Sequence, residues 1–264
     1  KWSDKVEKTK YGTTNSGSKV DKGYIGHQAA KMMKKSKVME NRIQKSIEEK
    51  SKLLNNIDIN EELVIKPIFS RKNPLIIANN LQIKYNEVNI FKPVSFELNN
   101  KDRLAIIGKN GSGKSSILKL ILKKNLEADY NINFEGEIKI ANDLKISYVS
   151  QNTDKLNGSL KDFAKTNKIN ESIFKAMLVK MGFSNLEFDK NISSFSEGQK
   201  KKVLIAKSVS EEANLYIWDE PLNYIDILTR IQIEEAITKY MPTMIFVEHD
   251  ATFIKNIANK KLYL

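Results

Sequence analysis

The chain has 264 residues, of which 41% are hydrophobic and 29% are charged, an ordinary globular composition that excludes a wholly disordered protein. It contains no cysteine, which excludes disulfide scaffolds and thiolate metal or catalytic sites. No apolar run approaches the roughly 20 residues of a membrane-spanning helix, and no hydrophobic signal segment opens the sequence. Because Lys1 lies in a charged stretch typical of the middle of a helix, we expect a fragment whose N-terminal part is missing.

The net charge of +12 is concentrated at the start of the chain. Residues 1–72 carry 17 Lys and Arg against 9 Asp and Glu, whereas residues 73–264 carry 27 against 23. Such a basic segment indicates a polyanionic partner such as nucleic acid, although a solvated lysine-rich surface would have the same composition. The length suits a large domain plus an appendage. We therefore predict a basic helical arm over residues 1–72 and a domain over residues 73–264.

The pattern of the basic arm predicts a helical hairpin. Residues 1–10 would end a helix, residues 11–26 would form a loop rich in Gly, Ser and Thr, and a long helix would run from about residue 27 to residue 55. About thirty residues of helix would extend about 45 Å. We interpret the hairpin as an arm that reaches outward; the alternative is that both helices pack flat against the domain.

Strand-like apolar runs begin at residue 75. They cover residues 75–78, 81–85, 94–98, 104–107, 146–149, 215–218 and 244–247. The last three are short, apolar throughout and separated by helical sequence. This pattern predicts buried, mainly parallel strands in an α/β domain.

A phosphate-binding motif follows the run at 104–107. Residues 108–115 have the sequence GKNGSGKS, which fits G-x-x-x-x-G-K-[ST], and a helix is predicted directly after it. The backbone N–H groups of the glycine-rich turn would surround phosphates, because glycine permits close approach and positive φ. Lys114 would reach the β- and γ-phosphates, and the Ser115 hydroxyl would bind Mg²⁺. The candidate ATP-binding residues of this motif are Gly108, Asn110, Gly111, Ser112, Gly113, Lys114, Ser115 and Ser116.

Two carboxylates follow the apolar run at 215–218. A buried parallel strand that ends in Asp219 and Glu220 places charge at the edge of the sheet where α/β folds bind ligands. Asp219 is the candidate metal-side carboxylate, and Glu220 is the candidate general base for an attacking water. Such a pair is a weak signal alone, but downstream of the phosphate motif it predicts an ATP- and Mg²⁺-dependent hydrolase.

Five further features resemble the motifs of ATP-binding-cassette (ABC) ATPases, in the order of that family. FSEGQ at 195–199 resembles the signature sequence, and Gln151 resembles the Q-loop glutamine. Residues 223–226 resemble the D-loop, and His249 resembles the switch histidine. Tyr85 resembles the aromatic residue that stacks on adenine.

The resemblance implies an α/β P-loop NTPase fold of the ABC ATPase type, a mixed sheet with a helical subdomain at about residues 152–196. It also implies that a second cassette completes each ATP site, either the N-terminal half of the full-length protein or a second copy of the fragment. The implied residues are Glu220, His249 and Gln151 for catalysis; Ser115, Gln151 and Asp219 for Mg²⁺; Ser196, Glu197, Gly198 and Gln199 of the signature for the partner's ATP; and Asn223 and Asp226 of the D-loop.

The arm resembles the linker of ABC-F proteins, which are cytoplasmic twin-cassette ATPases that act on the ribosome. Residues 2–10, 23–37 and 220–226 resemble the bacterial branch that protects ribosomes against lincosamides, streptogramins A and pleuromutilins. The resemblance implies a linker plus C-terminal cassette without an integral membrane segment. Its arm would contact ribosomal RNA and tRNA and reach toward the peptidyl-transferase centre.

The sequence departs from the usual ABC pattern at two places. In the signature, Glu197 replaces the glycine that is usual at the third position, and Phe195 replaces the usual leucine. In the D-loop, Asn223-Tyr224 stands where transporters commonly have Ser-Ala. These departures count against a transporter more than against ATP binding. Three alternatives stay open: the ATPase subunit of an ABC transporter with a separate membrane protein, an ABC-F translation regulator without a resistance role, and a nucleic-acid repair cassette. The last is disfavoured because residues 114–219 leave no room for a long coiled-coil insertion.

Overall fold

The computed structural model describes residues 62–85, 88–126 and 132–264. The predicted loop at 11–26 and the predicted helix at 27–55 lie outside these ranges, so both stay predictions. The described residues belong to one compact unit, Asn60–Leu264. Among them, no helix is both long and apolar enough to cross a membrane.

The described residues alternate between strands and helices over most of their length. The strands are β1 (Lys66–Pro67), β2 (Ile76–Tyr85), β3 (Val88–Asn89), β4 (Val94–Leu98), β5 (Arg103–Ile107), β6 (Asn133–Ile140), β7 (Ile146–Val149), β8 (Glu212–Ala213), β9 (Leu215–Asp219), β10 (Met244–Val247) and β11 (Lys260–Tyr263). The helices are α1 (Lys114–Leu126), α2 (Leu160–Thr166), α3 (Glu171–Lys180), α4 (Asn185–Phe188), α5 (Glu197–Ser210), α6 (Ile227–Tyr240) and α7 (Ala251–Ile257), with a 3-10 turn at Ile192–Ser194.

The central layer is a parallel sheet of five strands in the order β11-β5-β10-β9-β7. Each of its inner strands is buried on both faces. In β9, Leu215 and Ile217 belong to one hydrophobic cluster, while Tyr216 and Trp218 belong to the cluster on the other side. A strand in this position has no solvent-facing side, which explains why its sequence is apolar throughout. The predicted α/β class with buried parallel strands is confirmed.

The antiparallel strands form a sheet of their own, in the order β3-β2-β4 with β6 also paired to β2. The two runs predicted at 75–78 and 81–85 are one strand, β2, interrupted by a bulge at Asn79 and Asn80. Gly136 of β6 lies against this bulge, and a Cβ at that position would come within 2.2 Å of the Asn80 carbonyl oxygen. The bulge therefore requires a glycine there.

Helix α1 packs against both sheets. Its buried residues Ile117, Leu118 and Ile121 share one cluster with Leu81 of β2 and Ile245 of β10. The helix begins at Lys114, directly after the glycine-rich motif, so this packing holds the motif against the edge of the parallel sheet. Helices α2, α3 and α4 occupy the region predicted as a helical subdomain.

The described body extends into the segment that we assigned to the arm. Leu63 and Ile65 are buried in the cluster that covers the face of the parallel sheet opposite α1, and β1 pairs in parallel with β8. Residues 62–72 are thus packed on the domain. The boundary between residues 72 and 73 stays a prediction, because most of the arm lies outside the described residues.

A buried chain of hydrogen bonds joins α5 to the strands β7 and β9. The indole Nε1 of Trp218 donates to Ser208 Oγ at 2.9 Å, and the Ser208 and Ser147 hydroxyl oxygens are 2.7 Å apart. Ser147 Oγ donates to Glu211 at 2.6 Å, so the Ser208 hydroxyl supplies the proton between the two serines. Since Asp219 follows Trp218, this chain fixes the end of β9.

The Ser208→Ala substitution should lower the free energy of unfolding by about 1–3 kcal/mol, because it leaves the buried Trp218 N–H without an acceptor. Ser210→Ala on the same helix is the matched control. Its hydroxyl donates only to the Ala206 carbonyl one turn earlier, so we expect a loss below about 0.5 kcal/mol. Urea unfolding of both variants measures the difference, and equal losses would contradict the importance of the Trp218 bond.

Candidate active site

A cleft of about 720 Å³ opens at the carboxyl ends of the parallel strands. Because β5, β10, β9 and β7 run in the same direction, the loops that follow them meet at one edge of the sheet. The lining residues come from these loops, from α1, from the end of β2 and from the residue that follows β3. They are Tyr85, Ile90, Asn110, Gly111, Gly113, Lys114, Ser115, Ser116, Gln151, Glu220, Asn223 and His249.

The glycine-rich motif forms the loop between β5 and α1. Gly111 and Gly113 have φ of +80° and +91°, which L residues rarely adopt. The Lys114 ammonium lies inside the loop and donates to the carbonyl oxygens of Gly108 at 2.9 Å and Lys109 at 3.0 Å. The side chain is 6% exposed. The loop thus holds a fixed positive charge at the N-terminus of α1, which suits a phosphate group.

Gly108 and Ser112 do not line the cleft, but they pack closely against each other within the loop. Ser112 Oγ is buried and has no hydrogen-bond partner among the described residues. A Cβ at Gly108 would lie 2.5 Å from that oxygen, so the glycine makes room for the serine side chain.

Ser115 and Asp219 come together behind the phosphate-binding loop. Ser115 Oγ donates to Asp219 Oδ1 at 3.1 Å, and Asp219 is only 2% exposed. Burial raises the pKa of Asp219, the Ser115 hydrogen bond opposes the rise, the nearby Glu220 carboxylate adds to it and Lys201 opposes it. A hydroxyl and a carboxylate oxygen are ligands that Mg²⁺ accepts. These two residues therefore fit a magnesium site, and Gln151 is the third predicted ligand on the same cleft.

Two side chains donate hydrogen bonds to the Glu220 carboxylate, and a third lies beside it. Gln151 Nε2 and Asn223 Nδ2 donate to Oε2 at 2.9 Å and 2.8 Å, and His249 Nε2 lies 3.4 Å from Oε1. The Glu220 backbone is in the left-handed region, with φ of 49°, and its N–H donates to the Val247 carbonyl at 3.0 Å. The sequence predicted Gln151, Glu220 and His249 as one catalytic group, and the structure brings them together.

Tyr85 and Ile90 line the outer part of the cleft. The Tyr85 ring is 49% exposed, and its hydroxyl lies 3.5 Å from Ser116 Oγ. An exposed ring beside the phosphate-binding loop can stack on a nucleotide base. Ile90 carries no sequence signal of its own, because a single isoleucine outside a periodic run is indistinguishable from an ordinary core residue.

Glu248 is a buried acid that the sequence analysis missed. It is 5% exposed and accepts hydrogen bonds from the backbone N–H of Leu222 at 2.8 Å and of His249 at 2.9 Å. It therefore joins the loop after β10 to the loop after β9. The sequence signal that could have identified Glu248 is its place as a charged residue directly after an apolar strand.

The signature residues do not line the cleft. Ser196 caps α5, since its hydroxyl accepts from the Gln199 N–H at 3.2 Å and its own N–H donates to Gln199 Oε1 at 3.0 Å. The Glu197 carboxylate accepts hydrogen bonds from Thr153 Oγ1 and from Lys200 Nζ. The first turn of α5 is thus capped by its own residues, and none of Ser196, Glu197, Gly198 and Gln199 is among the residues that line the cleft.

The D-loop packs directly on the signature turn. A Cβ at Gly198 would lie 2.5 Å from the Tyr224 carbonyl oxygen, so only a glycine allows this approach. Asp226, the second predicted D-loop residue, caps α6 through the Thr229 N–H at 3.0 Å and forms an ion pair with Lys202 of α5 at 2.7 Å. Asn223 lines the cleft, whereas Asp226 does not.

Residues 91–223, half of the chain, match the ABC transporter family. The chain belongs to this family. Its members are ATP-hydrolysing cassettes, and the match extends from the residues before the phosphate-binding loop to Asn223. The expected ABC ATPase type of the fold is thereby confirmed.

Several curated relatives are full-length proteins of which this chain covers about a third. The ATP-binding protein Uup of Buchnera aphidicola is 32% identical over 195 residues, 71% of this chain and 32% of that protein. The ribosome protection protein VmlR of Bacillus subtilis is 29% identical over 193 residues, 71% of this chain and 34% of that protein. The ABC transporter F family member 2 of Arabidopsis thaliana is 30% identical over 225 residues, 76% of this chain and 31% of that protein.

The solved structure of an ATP-binding subunit of an ABC transporter is also similar. Its TM-score is 0.58 at 20% identity, covering 72% of this chain and 85% of that chain. At this identity the likeness shows the cassette fold alone.

The cassette should respond to Asp219→Asn by becoming more stable at pH 7 in the absence of Mg²⁺. Because burial raises the pKa of Asp219, the folded state takes up its proton more readily than the unfolded state, so ionisation at neutral pH destabilises the fold. The asparagine cannot ionise. Denaturant midpoints in EDTA should therefore differ at pH 7 and converge as the pH falls toward the ordinary value of 3.8.

Asp226→Asn is the control with the opposite sign. Burial would raise its pKa, but the Lys202 ion pair and the Thr229 hydrogen bonds hold the pKa below 3.8. Its ionised form thus stabilises the fold above that pH, and the stabilisation is lost as the pH falls through the folded pKa. The variant should be less stable than the parent at pH 7; a shift of both variants in the same direction would contradict this account.

Proposed function

We propose that this chain is the C-terminal cassette, with its linker arm, of an ABC-F type ATPase that binds ATP with Mg²⁺ and hydrolyses it. The observation that carries the proposal is the Glu220 carboxylate, which accepts hydrogen bonds from Gln151 and Asn223 and lies beside His249 in the same cleft as the phosphate-binding loop. A carboxylate in this position can accept the proton of a water that attacks the γ-phosphate.

ATP binding is assigned to the loop and to the tyrosine at the rim. The N–H groups of Gly111, Ser112 and Gly113 would surround the phosphates, Lys114 would neutralise their charge, and Tyr85 would stack on the base. Ser115 and Asp219, with Gln151, would hold Mg²⁺, which when bound neutralises phosphate charge.

Hydrolysis is assigned to the residues around Glu220. Glu220 would take the proton from water, while Gln151 and Asn223 keep its carboxylate oriented. His249, which lies beside the other oxygen of the Glu220 carboxylate, would donate a hydrogen bond to the γ-phosphate. Glu248 would fix the His249 backbone, which makes it a supporting residue.

We infer that a second cassette completes the site. Ser196, Glu197, Gly198 and Gln199 lie outside this chain's own cleft, so their α5 N-terminus is available to phosphates held elsewhere. Tyr224 and Ile227 of the adjacent D-loop region are large apolar residues with 77% and 65% exposure, as expected for a surface that a partner covers. The partner would be the N-terminal half of the full-length protein, or a second copy in the case of the fragment.

We propose that the basic arm binds the ribosome and that the protein acts in the cytoplasm. The excess of lysine in residues 1–72 suits RNA phosphates, and one relative is named a ribosome protection protein. ATP would clamp the two cassettes and orient the arm toward the peptidyl-transferase centre, where it would protect the ribosome from antibiotics. Hydrolysis would then reopen the clamp and release the protein.

The Lys114→Met substitution should weaken binding of ATP with Mg²⁺ at least 30-fold, since it removes the charge inside the phosphate-binding loop. Lys109→Met is the matched control, because Lys109 is an exposed lysine of the same loop that does not line the cleft. Calorimetric titration with ATP measures both. Equal affinities of the two variants would contradict the assigned ATP site.

Glu220→Gln should keep ATP binding within about threefold of the parent while turnover falls at least 100-fold, because the amide cannot accept a proton. In the twin-cassette protein, Glu220→Gln should then remain bound to ribosomes in ATP, and the amount that sediments with ribosomes should decrease as the salt concentration rises.

Absence of ribosome binding in any nucleotide would overturn the ribosomal proposal. Co-purification with a membrane protein from detergent extracts would instead support a transporter subunit.

A further inference from the structure

Lys201 is a buried cation that the proposed mechanism leaves unused. It lies in the second turn of α5 and is 3% exposed, although lysine is among the residues that proteins least often bury. Its ammonium donates to the Ser150 carbonyl oxygen at 2.9 Å. A charge in this position would be strongly unfavourable without compensation from nearby groups.

The compensation comes from the acidic residues of the active site. Burial lowers the pKa of Lys201, and the carboxylates of Asp219, Glu220 and Glu248 oppose that effect. These three acids lie at the ends of β9 and β10, and Lys201 is the buried ammonium that faces them from α5. Removing its charge would leave three neighbouring carboxylates to repel each other.

The hydrogen bond of Lys201 also fixes the backbone from which Gln151 projects. Ser150 is the first residue after β7, and the next residue, Gln151, donates to Glu220 at 2.9 Å. Two residues later, Thr153 donates to Glu197, again on α5. The helix therefore holds the Gln151 loop at two points, one on each side of the glutamine.

We propose that Lys201 is a positioning residue for ATP hydrolysis, which couples the signature helix α5 to Gln151 and Glu220 of the same cassette. Its ammonium holds the Ser150–Gln151 peptide in place and balances the charge of the acids behind the cleft. Movement of α5 on contact with a second cassette would thus reach the general base directly. This inference rests on the proposed hydrolysis by Glu220, and it adds a residue that does not touch ATP.

The test compares Lys201→Met, which removes the charge and the donor at similar length, with Lys201→Arg, which keeps both. Lys175→Met is the control, because Lys175 lies on α3 outside the cleft and its ion pair with Glu171 joins two residues of that one helix. Three quantities are measured on the whole chain: the affinity for ATP with Mg²⁺, the kcat and KM of turnover, and amide hydrogen exchange over residues 146–156.

We expect Lys201→Met to lower kcat at least tenfold, with KM and ATP affinity within threefold of the parent, because the phosphate-binding loop is untouched. Exchange over residues 146–156 should become at least fivefold faster. Lys201→Arg should restore at least a third of the parent kcat, and Lys175→Met should match the parent in all three measurements. If Lys201→Met does not fold, Lys201→Gln takes its place, since its polar side chain is easier to bury beside a carbonyl.

The inference is overturned if the uncharged variant keeps kcat within threefold and exchanges at the parent rate. It is also overturned if KM or ATP affinity changes as much as kcat, since the residue would then act on binding. A parent chain that binds ATP but shows no turnover would contradict hydrolysis by this chain alone. In that case hydrogen exchange decides: faster exchange in Lys201→Met than in Lys175→Met supports the coupling, and equal rates refute it.

Discussion

The site depends on the parallel register of three neighbouring strands. Val247 of β10 pairs with Asp219 of β9 on one side and with Ile106 of β5 on the other. The phosphate-binding loop, the two acids and His249 therefore leave the sheet at the same level. A shift of one residue in either pairing would move Asp219 away from Ser115 and turn the apolar side chains of β9 to the wrong face. The polar chain from Trp218 to Glu211 and the Glu220 N–H bond to Val247 both act to preserve this register.

The same edge concentrates charge that the fold on its own would not favour. Among the described residues, the buried acidic and basic side chains are Lys114, Lys201, Asp219 and Glu248. All four lie at or directly behind the cleft, and burial raises the pKa of Asp219, so its ionised form is unfavourable in the folded protein. Active sites commonly sacrifice stability for such arrangements. The distribution of buried charge thus identifies the working edge of the sheet independently of any motif.

Local sequence patterns predicted the parts of this structure that local interactions determine. The phosphate motif, the strand that ends in Asp219 and the strand before His249 each carry their signal within ten residues, and the structure places all three at the cleft. Strand β6 carried no such signal, since its burial alternates only weakly and its Gly136 is set by a bulge in another strand. Neither Thr153 nor Lys201 could be recognised from the sequence as part of the site. Each acts through a hydrogen bond between segments about 45 residues apart. Such contacts depend on how α5 packs beside β7, which no periodicity specifies.

Glu197 shows how a departure from the family pattern can be accommodated. The third signature position usually holds a glycine, yet here a carboxylate occupies the first residue of α5, where the helix dipole favours negative charge. Hydrogen bonds from Thr153 and Lys200 lower its pKa, so it stays ionised. These hydrogen bonds also direct the carboxylate toward the Gln151 loop. Gly198 is then the one position of the turn that must stay without a side chain, because the backbone of Tyr224 approaches it closely. The substitution therefore preserves the cap and the D-loop contact while adding a bond to the loop that carries Gln151. The first two turns of α5 thereby contact two loops of the active site: the loop after β7, through Glu197 and Lys201, and the loop after β9, through Gly198 and Lys202. These two loops carry Gln151 and Asn223, the two side chains that donate hydrogen bonds to the Glu220 carboxylate.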